Sequence, residues 1–111
     1  MKVSLLAMAN KELIAASLDP DGEVRGKIRV HGGGMLDVLQ TVIVLTGGAR
    51  WTWLPRSYDG TLFVLRGRVL LESTGGAWQG TAGDLLDLPE GLCGLVALDD
   101  AAVLVTLGPS V

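Results

Sequence analysis

Apolar positions in this chain come in short bursts, and their spacing changes once along its length. Near the start, Leu13 and Ile14 follow Asn10, Lys11 and Glu12, a pattern that predicts a short helix capped by Asn10. The segment "DPDGE" (19–23) then predicts a turn, with Pro20 holding one dihedral and Gly22 free to take positive φ. Beyond it the periodicity is that of strands. "GKIRV" alternates, "MLDVLQTVIVL" gathers β-branched residues at 41–44, and "GG" at 47–48 ends it. "ARWTWL" follows, then a loop "PRSYDG", then "TLFVLRGRVLLES", where Arg66 and Gly67 suggest a hairpin reversal between two apolar strands. "STGG" turns the chain into "AWQGTAG", and "DLLDLP", "LCGLVAL" and "AAVLVTL" supply three more strands.

About eight short strands, with turn signals every 8–12 residues or so and no alternation of strands with helices, indicate an all-β antiparallel sandwich or barrel. At 111 residues one core is expected, with residues 1–26 as a helix and turn packed on a barrel of residues 27–111. The 49% hydrophobic content is enough to fill such a core and argues against a disordered chain.

Net charge is −3 and the basic residues form no cluster, so nucleic acid is not an expected partner. No uncharged apolar run approaches the roughly 20 residues of a membrane span, and the opening run Val3–Ala9 is broken too soon for a signal peptide. A single cysteine, Cys93, fits a reducing compartment, and a cytoplasmic location is the expectation.

The segment "GDLLDLPEGLCG" holds Gly83, Pro89 and Gly91 at a distinctive spacing, and "LFVLRG" ends at Gly67. These two segments resemble the paired motifs of the cupin superfamily, small jelly-roll β-barrels, and the resemblance extends over roughly residues 27–107. It implies a cupin-type jelly-roll barrel, to which the residues themselves add the short N-terminal helix. A cupin metal centre uses three histidines and a carboxylate, a donor set suited to transition metals. In this chain the second-motif histidine falls on Gly94 and its asparagine on Leu98, and the first-motif glutamate falls on Gly60, with Asp59 beside it. The first-motif histidine pair falls on Trp53 and Pro55, on Leu54 and Arg56, or on Trp51 and Trp53. No register yields a histidine. The chain owns one, His31, so no catalytic metal and no cofactor are expected.

What remains is shape, aromatic rings and a few polar groups. Trp51 and Trp53, two apart on one strand, share a face; they either fill the core or wall a small-molecule pocket. Arg56 and Tyr58 at the barrel mouth are candidate ligand contacts, the guanidinium suiting a carboxylate or phosphate, although a solvated loop arginine is the commoner case. Arg50 reads as a surface charge and Cys93 as an inert core thiol; Trp78 reads as the cover of a hairpin or an interface. His31, Tyr58 and Asp59 are the residues that could serve acid–base chemistry, but their spacing matches no known pair.

Three functions are therefore open. The first is a metal-free barrel that binds or senses a small organic molecule, aromatic or anionic. The second is a filled barrel that assembles, most simply as a homodimer, because both faces of "TLFVLRGRVLLES" are apolar. The third, last in order, is a metal-independent enzyme of isomerase type.

Overall fold

The computed structural model describes residues 4–17, 25–31, 39–53, 58–89 and 93–109. Helix α1 spans Leu5–Ser17. Nine strands follow among the described residues: β1 Arg25–His31, β2 Leu39–Leu45, β3 Arg50–Trp53, β4 Tyr58–Arg66, β5 Arg68–Ser73, β6 Gly76–Thr81, β7 Leu85–Asp87, β8 Cys93–Ala97 and β9 Ala101–Pro109. They form two antiparallel sheets, a five-stranded one ordered β1-β2-β9-β4-β7 and a four-stranded one ordered β3-β8-β5-β6. This is a jelly-roll architecture, all-β apart from the helix. The 19–23 turn lies outside the described residues.

Strand alternation builds the interior. Ile43, Leu45, Leu62, Val64, Val103 and Val105 of the larger sheet meet Val69, Leu71, Cys93, Leu95 and Ala97 of the smaller one in a single buried cluster. With side chains leaving alternate faces, the residues between them must point outward. On β2 and β9 those outward residues are apolar too: Val42, Val44 and Ala102 are fully buried. Helix α1 covers them, laying Leu5, Ala9 and Leu13 onto the sheet as one i, i+4, i+8 stripe. Strands covered on both sides need no polar face, and "VIVL" reads accordingly.

Three expectations change. The helix starts at Ser4, whose Oγ accepts from the Ala7 N–H at 3.2 Å, so Ser4 and not Asn10 is the cap. Asn10 sits mid-helix, where its Oδ1 accepts a 2.8 Å hydrogen bond from Arg66 Nη1 and ties the helix to β4. Second, β4 and β5 are not a hairpin. They belong to different sheets, and the chain turns the corner between them at Gly67, with φ +78°. A Cβ at Gly67 would collide with the Asp100 carbonyl oxygen, so conformation and space both require glycine there. Third, Tyr58–Gly60 is strand rather than loop, pairing with Pro109–Leu107.

The corner also divides the apolar outer face of "TLFVLRGRVLLES". Leu65 packs under the helix cluster, whereas Leu70 lies on the other sheet. The two halves do not present one continuous patch.

Candidate functional site

The register of the smaller sheet sets four interior residues in one row. Trp51 on β3 is opposite Leu95 on β8, Leu95 is opposite Leu71 on β5, and Leu71 is opposite Trp78 on β6. The two leucines in the middle are fully buried. Trp51, half-buried, packs against the core cluster. Trp78 stands at the open edge and is 44% exposed.

Beside Trp78 the two sheets diverge and leave a cavity of about 390 Å³, walled by Leu71, Trp78, Leu85, Leu86, Leu88 and Pro89, with Asp87. Strand β7, the edge of the larger sheet, supplies the facing side. Gly80 lets β6 approach that side closely: a Cβ there would stand 3.0 Å from Leu86 Cδ1 and 3.1 Å from Val64 Cγ2. The sheets are thus pinned together at Gly80 and open at Trp78, two residues away. A cavity of this size and apolar lining is within the range of small-molecule sites.

On the outside of the same sheet a shallower depression of about 230 Å³ is lined by Arg50, Thr52, Glu72, Ser73, Thr74, Cys93 and Gly94. Arg50 and Glu72 pair across it at 3.3 Å, both largely solvated, so the guanidinium already has its carboxylate. Arg50 is a surface charge, as its place in the alternation suggests.

The residues singled out from sequence fare differently. Trp51 faces the interior. Trp53 pairs through its backbone with Cys93. Arg56 lies outside the described residues, and Tyr58 and Asp59 are described as backbone, opposite Pro109 and Gly108. His31 ends β1, beyond a register shift, opposite Gln40. Strands β2 and β9 separate β1 from β4, and the register sets His31 level with Thr61 rather than Tyr58, so the backbones of His31 and Tyr58 are more than about 14 Å apart at the usual strand spacing. Cys93 is buried, its thiol donating to the Pro89 carbonyl at 3.4 Å, and burial pushes its pKa up, so it stays a thiol at neutral pH. The pocket beside Trp78 was not anticipated. Its signal was there in "AWQG" followed by "LLDL", an aromatic and a leucine run with more apolar side chains than a three-residue edge strand buries.

A cupin-type metal centre does not fit these residues. Gly94, the slot for a histidine, has Thr52 and Glu72 as cross-strand neighbours, and a Cβ built on it points at the Arg50 guanidinium, 3.5 Å away on the outer face. The interior-facing neighbours are Cys93 and Leu95. One imidazole in the whole chain, on β1, leaves a transition metal short of donors.

No family model matches the sequence, and no curated protein matches it. Solved structures do. An RmlC-like cupin from Desulfovibrio desulfuricans superimposes with a TM-score of 0.74 at 20% identity, over 100% of this chain and 99% of that one. Ectoine synthase from P. lautus matches with a TM-score of 0.67 at 16% identity, over 100% of this chain and 80% of that one. The cupin domain of Schizosaccharomyces pombe Cnp3 matches with a TM-score of 0.66 at 9% identity, over 78% of this chain and 65% of that one, so this chain spans just under two thirds of its length. The protein has the cupin fold. At such identities the likeness extends to the barrel and not to a reaction, since one fold carries many chemistries.

Proposed function

We propose that this protein is a small-molecule-binding cupin, a sensor or carrier, whose ligand sits in the pocket between β6 and β7. The observation that carries this reading is the 390 Å³ cavity walled by Trp78 and four leucines between the edge strands of the two sheets. A ligand with an apolar body would cover Trp78 and Leu85, the latter 61% exposed, and remove their apolar surface from water. A reducing cytoplasm suits a protein whose one cysteine is buried and reduced. No helix among the described residues is long and apolar enough to cross a membrane.

Two features weigh against the enzyme reading. Histidine and tyrosine start from strands with two others between them, and no ionisable pair among the described residues faces the pocket. Assembly as a homodimer keeps one specific support: Trp78 and Leu85 are exposed on the edge strands of both sheets, where a second copy would bury them.

Titration calorimetry with a panel of aromatic and aliphatic metabolites, on the wild-type chain and on Trp78→Ala, tests the choice. Binding that disappears in Trp78→Ala supports the pocket. Sedimentation analysis showing a dimer that dissociates in Trp78→Ala, with no metabolite bound, would replace it by the assembly reading.

A further inference from the structure

We infer that the pocket between β6 and β7 takes an organic cation, an apolar or aromatic body carrying a protonated amine, in preference to a carboxylate of the same size. This rests on the small-molecule reading above and adds the sign of the ligand's charge. Among the described lining residues Asp87 is the one that ionises; the rest are Trp78, four leucines and Pro89. None of the described lining residues offers a cation to a carboxylate. The guanidiniums nearest in kind are engaged elsewhere, Arg50 with Glu72 and Arg68 with Asp99. Asp87 makes no ion pair among the described residues, and it is solvent-exposed.

The physics of such a lining is asymmetric. The face of an indole carries negative potential and attracts an ammonium group, the more so when water is partly excluded. A carboxylate beside a carboxylate is repelled, and an apolar wall gives it no hydrogen bonds in return for lost hydration. The net charge of −3 draws cations toward the surface in the same sense. The anionic ligand expected from the sequence depended on Arg56, which lies outside the described residues.

The test uses three probes that share a phenyl ring on a two-carbon chain: 2-phenylethylammonium, 2-phenylethanol and 3-phenylpropionate. Calorimetry gives the affinities, and the indole N–H resonance of Trp78, identified by its loss in Trp78→Phe, reports the site. The ammonium is expected to bind about five-fold tighter than the alcohol, the size of an exposed cation–π contact, with the carboxylate weakest. Asp87→Asn should narrow the gap in affinity between ammonium and alcohol. If the carboxylate binds as well as the ammonium, or the alcohol matches it, the charge inference fails and the pocket stands. If no probe moves the Trp78 resonance, the pocket reading fails and takes the inference with it.

Discussion

Trp51 and Trp78 end the same cross-strand row, yet they do different things. Both project from the interior face of the four-stranded sheet, and both are next to a fully buried leucine. Trp51 meets the packed core. Trp78 meets a gap, because the partner across from it is a three-residue edge strand followed by an apolar loop rather than a long strand with matched side chains. One face of one sheet therefore carries a structural indole and a candidate ligand-binding one. The lesson is that residue type and strand parity assign a side chain to a face, while the opposite sheet decides whether that face is closed.

Truncating the middle of the row should have the largest effect. Leu95→Ala leaves a hole in a close-packed cluster and is expected to cost about 2–5 kcal/mol in urea unfolding, since neighbours relax only in part. Next comes Trp51→Ala, with a loss of about 2–3 kcal/mol, because a half-buried indole still removes much apolar area from water. An unchanged unfolding midpoint in Trp51→Ala would dissolve the contrast between the two tryptophans. Trp78→Ala should destabilise by under about 1 kcal/mol, as surface changes do, while abolishing ligand binding. A collapse of stability there would make Trp78 a core residue and sink the distinction from the other side.

The smallest effect is a control lying outside the row. Arg68 donates to Asp99 at 2.7 Å, and that hydrogen bond, with the attraction between the charges, holds the Asp99 carboxyl below the usual carboxylate range. A group whose folded pKa is depressed stabilises above its unfolded pKa and loses that contribution as pH falls through the folded value. Asp99→Asn should thus be slightly less stable than wild type at neutral pH and converge with it in acid, read as two unfolding midpoints across a pH series. Both side chains are solvated, so a large gap at pH 7 would be unexpected.

How much of this was legible in the chain varies from element to element. The succession of short apolar strands and turn signals from "GKIRV" to "AAVLVTL" and the spacing of Gly83, Pro89 and Gly91 led to the barrel, because they express local constraints: strand preference and turn geometry. Gly67 shows the limit. A hairpin and a corner between sheets both need a glycine at positive φ, and only the partners of β4 and β5, far along the chain, distinguish them. Asn10 and Ser4 are equally good caps by type; the helix starts at Ser4 and lays the stripe through Leu5, Ala9 and Leu13 on β2 and β9.

By itself, then, the sequence determined the fold class, the shortage of imidazoles for a cupin metal centre, and which neighbours on a strand such as Trp51 and Trp53 share a face. These follow from composition and from the two-residue repeat of an extended backbone. Tertiary structure alone decided which apolar faces are covered, that Gly94 looks outward, and that the space beside Trp78 is open. Each of those depends on which strands meet, and the contacts that settle it join residues tens of positions apart, where no local pattern reaches.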